Sequence, residues 1–263
     1  MTTTRIQRLR GGARTAVDDS VAVEAPLEIR INGKALTVVM RTPGHDEELA
    51  RGFLYNEGLI DGAADIVAIA RPERLSGDEL GNVVDVSLRA GARTPSGERA
   101  FYASSSCGVC GKNAISALTV RAPVTSPTLT VTTATLALLP DRLRAAQPAF
   151  AATGGVHASG LFAADGTLEE VREDVGRHNA LDKLCGWALA NGRLPLQDRL
   201  LLVSGRVSYE LVQKAIACGL PLLAAVGAPS TLAIDLAEQF GLTLVGFLRG
   251  ENMNIYSHED RVM

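Results

Sequence analysis

Aromatic side chains are scarce in this chain: one Trp, four Tyr and six Phe make up 4% of 263 residues. Its core must therefore rest on Leu, Val, Ile and Ala. No stretch approaches the roughly 20 apolar residues needed to cross a bilayer, so no membrane-spanning helix and no membrane partner are expected. The first 19 residues hold no apolar run, which excludes a secretory signal and reads as a frayed terminus. A basic excess is missing too. The net charge of −3 speaks against general nucleic-acid binding, which needs a broad basic field. An anionic ligand held by a few local groups remains compatible with it. Cysteines number only four, with one close pair, which is not a secreted disulfide framework; the cytoplasm is the expected compartment.

Hydrophobic residues supply 46% and charged residues 21%, the balance of a globular protein. The length fits one large domain or a domain with a smaller appendage. Residues 27–31 and 36–40 flank Asn32-Gly33, a β-hairpin signal. Residues 46–59 predict a helix with Leu49, Phe53 and Leu54 on its apolar stripe and Asp46, Glu47 and Glu48 at its positive end. Residues 83–88 alternate like a strand, and 90–97 form a loop rich in Gly, Pro and Ser. Further on, 113–120 predict a short helix, 125–127 a turn, and 133–147 a helix that Pro140 should break. Residues 156–163 and 168–171 flank a second hairpin signal, Asp165-Gly166.

The last third has a different rhythm. Helices over 177–190, 208–218 and 231–240 alternate with short apolar strands at 200–203, 222–226 and 242–247. That pattern implies a parallel sheet covered on both faces. The chain then divides into a flexible segment 1–24, a β-rich part 25–125 and an α/β cofactor-binding domain 126–263. Ligands of open α/β sheets sit beyond the carboxyl ends of the strands. Those ends carry Ser204-Gly205-Arg206, Gly227-Ala228-Pro229-Ser230 and 248–252, and the first two lead into helix N-termini, which favour phosphate. Each alone also fits an ordinary turn with a Ser cap, but Arg206 and Arg249 tilt the set towards an anion site.

The segment Ser104-Ser105-Ser106-Cys107-Gly108-Val109-Cys110-Gly111-Lys112 admits three chemistries: zinc ligation, a redox disulfide, or sulfur carried as a persulfide. Structural zinc asks for four ligands, and neither a second Cys pair nor a closely spaced His pair exists. A redox motif would open a rigid helix, whereas glycines and serines here describe a loop that can swing. Lys112 offers a cation to lower a thiol pKa. Cys185 and Cys218 lie on apolar helix stripes and are expected in the core.

Two polar clusters stand out. Thr153-Gly154-Gly155-Val156-His157 is either a tight turn beside a satisfied histidine or a close approach to a ligand at Gly155, with His157 as a hydrogen-bonding or acid–base group. In Glu173-Asp174-Val175-Gly176-Arg177-His178-Asn179, a capping acid accounts for Glu173 or Asp174. It does not account for three successive polar residues, and Arg177, His178 and Asn179 are read as a site contribution. His178 and Asp182, four apart, are expected to share a helix face and hydrogen-bond.

Together these segments, with Ala180-Leu181-Asp182-Lys183, Ser204-Gly205-Arg206 and the closing Asn254-Ile255-Tyr256-Ser257, resemble the formate dehydrogenase accessory sulfurtransferase family, FdhD. The resemblance runs in family order from about Ala25 onwards. It implies a sulfurtransferase that accepts persulfide sulfur from a cysteine desulfurase. The sulfur passes to bis-molybdopterin guanine dinucleotide (Mo-bisMGD), the molybdenum cofactor of formate dehydrogenase, bound as a substrate. By motif position Cys107 would carry the persulfide and Cys110 would be its relay partner. The resemblance also implies a homodimer and a cytidine deaminase-like α/β fold, a three-layer sheet with helices on both faces plus a smaller N-terminal β-rich part. The family's cofactor-binding stretch maps onto Phe247, Leu248, Arg249, Gly250, Glu251 and Asn252. Gly155, His157, Arg177, His178, Ser204 and Arg206 are further candidates for that site, including its guanine nucleotide portion. No metal ligand set of its own is expected: zinc deaminases pair His-x-Glu with a downstream Pro-Cys-x-x-Cys, and here Ser159 stands where the Glu would be and no Pro precedes Cys107. A non-catalytic cofactor chaperone and a zinc-dependent hydrolase stay open as rivals.

Overall fold

The computed structural model describes residues 1–72, 77, 80–91, 101–102 and 128–263. Cys107 and Cys110, the helix expected over 113–120 and the turn expected at 125–127 lie outside them. The chain opens on β1 (Thr2–Arg10) and β2 (Ala13–Val21), an antiparallel hairpin turning at Gly11-Gly12, both glycines at positive φ. This stretch, read from the sequence as a frayed end, is held by cross-strand pairs such as Ile6 with Val17 and Arg5 with Asp18. Its strands alternate Thr, Ala and charged residues, so no apolar periodicity announced them.

β3 (Ala25–Ile31) and β4 (Lys34–Arg41) meet at Asn32-Gly33, where both residues take the positive φ of a tight hairpin turn. With β5 (Ile66–Ala70), β6 (Val83–Leu88) and β7 (Phe101–Tyr102) they form a five-stranded sheet ordered β5-β6-β3-β4-β7. Helix α1 (Asp46–Asn56) covers it, burying Leu49, Ala50, Phe53 and Leu54 against Leu27, Ile29, Val84 and Val86. It stops before residue 59 because Gly58 turns at φ +70.

The rest of the chain runs α2 (Thr133–Ala145), α3 (Pro148–Thr153), β8 (His157–Ala163), β9 (Leu168–Asp174), α4 (Arg177–Ala190), β10 (Arg199–Val203), α5 (Tyr209–Ala217), β11 (Leu222–Ala225), α6 (Thr231–Phe240), β12 (Thr243–Arg249) and β13 (Asn252–Ser257). Pro140 does not break α2. An interior proline costs about 3 kcal/mol, but Leu136, Leu139 and Leu143 on either side of it are buried against the sheet. Each such side chain contributes about 1.5–3 kcal/mol.

The second sheet has six strands in the order β13-β12-β11-β10-β8-β9. Only β10, β11 and β12 are mutually parallel, where α5 and α6 supply the crossovers; β8, β9 and β13 run antiparallel to their neighbours. The sheet expected to be parallel is therefore mixed. Helices α4, α5 and α6 cover one face and α2 the other, an α/β architecture with helices on both faces. The two sheets are joined where α1 crosses α4 backbone to backbone. A Cβ on Gly52 would sit 1.8 Å from the Asp182 carbonyl oxygen, and one on Gly186 1.8 Å from that of Glu48.

Candidate functional site

Topology gathers the polar segments at one edge of the six-stranded sheet. Because β8 opposes both β9 and β10, the start of β8 lies beside the ends of the other two: His157 pairs with Asp174, and Ser159 with Val203. The carboxyl ends of β11 and β12 complete that edge, since both run parallel to β10. Helices α4, α5 and α6 all begin there, so three helix N-termini lend partial positive charge to it.

At the centre of this edge, Ser204 Oγ accepts the Ala158 N–H at 2.9 Å and lies 3.4 Å from His157 Nδ1. Gly205 lets the ring approach: a Cβ there would stand 3.3 Å from His157 Nδ1 and 3.6 Å from Arg177 Cδ. Burial disfavours the charged form of His157, and the neighbouring Arg177 and His178 act in the same direction, so its pKa falls below the usual 6.5. Arg177 Nε is buried and has no hydrogen-bond partner among the described residues. A spare guanidinium N–H at a helix N-terminus suits an anion.

The neighbouring loops lie against one another. A Cβ on Gly227 would come within 2.7 Å of the Gly205 carbonyl oxygen and 2.9 Å of Arg206 N, so only glycine permits this approach. Phe247 N in turn donates to Gly227 O at 3.1 Å. Phe247 itself sits at φ +54 with its side chain exposed, a large aromatic in a region that side chains rarely adopt.

The other candidates divide. Arg206 and Gly155 are exposed at this edge. Leu248 is fully buried against α2 and belongs to the core. Arg249, Gly250, Glu251 and Asn252 are exposed, and Arg249 pairs in register with Asn252. The stretch expected as a loop is thus the end of β12, a tight turn and the start of β13. Polar Asn252 and Asn254 had hidden that last strand.

The run from Glu173 to Lys183 is mostly scaffold. Asp174 Oδ2 accepts from Thr42 N (3.0 Å) and pairs with Lys183 Nζ (2.7 Å); Oδ1 accepts from Gly176 N (2.8 Å) and Asn179 Nδ2 (3.0 Å). Asn179 also donates to Met40 O, and Lys183 to Thr42 O. Glu173 accepts the Ala149 and Phe150 N–H groups at the start of α3. Asn179, expected in the site, instead stitches α4 to β4. Nor does Asp182 bond His178: it pairs with Lys214 at 2.6 Å and accepts from Asn56. Burial is the largest single influence and opposes the Lys214 ammonium, but Asp182, Glu57 and Cys185 together outweigh it and raise the lysine's pKa. Cys185 and Cys218 are buried in the core, their sulfurs 2.8 Å apart, and burial raises the Cys218 thiol.

His178 turns towards α5. Its Nε2 lies 3.1 Å from Glu210 Oε2 and 3.2 Å from Ser208 Oγ. Sequence reasoning missed both partners, because they stand about thirty residues along the chain from His178 on a helix that only the fold brings beside it. No group of three metal-ligating side chains occurs among the described residues, and no helix there is long and apolar enough to cross a membrane.

A model of the FdhD/NarQ family matches residues 22–263. The chain belongs to that family. Among FdhD/NarQ relatives, the "Sulfur carrier protein FdhD" of Streptomyces coelicolor is 52% identical, over 98% of this chain and 94% of that protein. Its namesake from Mycolicibacterium paratuberculosis is 51% identical, over 98% and 97% respectively. A crystal structure described as a formate dehydrogenase accessory protein from Desulfotalea psychrophila aligns with a TM-score of 0.81 at 27% identity, over 100% of this chain and 99% of the other. The family inferred from short motifs therefore holds over nearly the whole chain, and a solved structure shares its α/β architecture.

Proposed function

We propose that this protein is a sulfur carrier that serves formate dehydrogenase by moving persulfide sulfur from a cysteine desulfurase to Mo-bisMGD. Relatives at about half identity named as sulfur carriers support the sulfur chemistry. The observation that carries the cofactor-binding reading is the buried Arg177 Nε, without a hydrogen-bond partner among the described residues, beside a His157 whose pKa burial lowers, where three helices begin. Phosphates of the nucleotide portion would lie against Arg177 and Arg206, with Arg249 at the rim. The exposed ring of Phe247 offers a face on which guanine can stack.

In this mechanism the Cys107 thiolate attacks the outer sulfur of the desulfurase persulfide. The old S–S bond breaks, the desulfurase thiolate leaves, and Cys107 becomes the persulfide. Cys110 then attacks the inner sulfur and releases sulfide to molybdenum. The Cys107–Cys110 disulfide left behind is returned to two thiols by a cellular dithiol. The protein works in the cytoplasm as a homodimer. Cys107→Ala is expected to abolish formate dehydrogenase activation while leaving guanosine diphosphate binding intact. Full activation by that variant would overturn the carrier and leave a cofactor chaperone.

A further inference from the structure

Ser208 and Ser230 occupy equivalent N-cap positions ahead of α5 and α6, yet they behave differently. Ser230 Oγ caps its helix by accepting the Ala233 N–H. Ser208 makes no such cap; its hydroxyl donates to Glu210 Oε2 at 3.0 Å and faces His178 Nε2. With its only hydrogen committed to the carboxylate, Ser208 Oγ can meet His178 only as an acceptor. Glu210 is likewise acceptor-only when ionised. Both neighbours of Nε2 therefore require a proton on it. The ring's other nitrogen, Nδ1, has no partner among the described residues.

We propose that Glu210, steadied by Ser208, is a positioning residue that fixes His178 as the Nε2–H tautomer and leaves Nδ1 as a hydrogen-bond acceptor for an N–H or O–H of the bound nucleotide. The arrangement follows the general rule that a carboxylate bound to one imidazole nitrogen decides what the other can do. It divides labour within the site. Arg177 meets the ligand's anionic part, and His178 reads a donor group beside it. This role rests on the nucleotide-binding reading above, whereas the tautomer itself does not.

Two measurements test it on the full-length protein. Nitrogen NMR of histidine-labelled protein, at a pH where the rings are neutral, reports each tautomer, and His178→Gln identifies the His178 signals. Wild-type protein should show His178 with its proton on Nε2, and Glu210→Ala and Ser208→Ala should each give a mixture of tautomers. A proton on Nδ1 in wild type, or an unchanged tautomer in both variants, overturns the assignment. Calorimetric titration with guanosine diphosphate should then show affinity falling about tenfold in Glu210→Ala, the weight of one hydrogen bond. Unchanged affinity alongside a mixed tautomer would refute the acceptor role. If wild type fails to bind the nucleotide at all, it is the cofactor-site reading that falls, and the spectra still decide the tautomer.

Discussion

Where α4 meets α1 and the end of β4, buried charges are paired: Asp174 with Lys183, and Asp182 with Lys214. At the N-terminus of the same helix Arg177 Nε has no partner among the described residues, His157 is pushed towards neutrality, and nearby Phe247 is exposed at positive φ. Both regions are built partly from the one run of polar residues between Glu173 and Lys183. The difference teaches that a specific motif need not be a site throughout. Its satisfied members hold the fold, while its unsatisfied member, Arg177, retains the capacity to bind something else.

That division can be broken by substitution. Asp174→Ala should cost the most, roughly 3–5 kcal/mol, because it strands the Lys183 ammonium inside the protein; urea denaturation measures it. Gly52→Ala should cost about 1–3 kcal/mol. It belongs at the upper end, since the new methyl meets a backbone oxygen rather than a flexible side chain. Arg177→Ala should move stability by only about 1 kcal/mol but weaken guanosine diphosphate binding at least about tenfold. If Arg177→Ala instead destabilised the protein by several times that amount while the folded variant kept its ligand affinity, the two regions would have exchanged roles.

The smallest effect is in the pH dependence. The folded pKa of His157 is lower than its unfolded value, so its contribution to stability is fully present above about pH 6.5. It is lost as pH falls through the lower folded value. His157→Gln should accordingly flatten the acid side of the stability profile, measured by denaturation at successive pH values. An unchanged acid limb would mean that the imidazole charges freely where it sits.

Much of the scaffold was legible because it is local. The apolar stripe of Leu181, Leu184, Cys185, Ala188 and Leu189 located α4, and Asn32-Gly33 and Asp165-Gly166 located two hairpins. The clusters around His157, Arg177 and Ser204 were also recognisable, and topology brings them to one sheet edge. What escaped depends on distant partners. Asp182 finds Lys214 and Asn56 on other helices, and His178 finds Glu210 across more than thirty residues of chain. β13 pairs through backbone despite its polar sequence, and α2 passes Pro140 because the sheet buries the leucines around it.

The central claim, that Cys107 carries the sulfur, has a direct test. Purified protein incubated with a cysteine desulfurase and cysteine, then digested and weighed, should show the peptide containing Cys107 heavier by one sulfur atom. The gain should vanish on reduction and in Cys107→Ala. No added sulfur on that peptide under conditions where the desulfurase itself is loaded, or an equal gain in Cys107→Ala, would contradict the account.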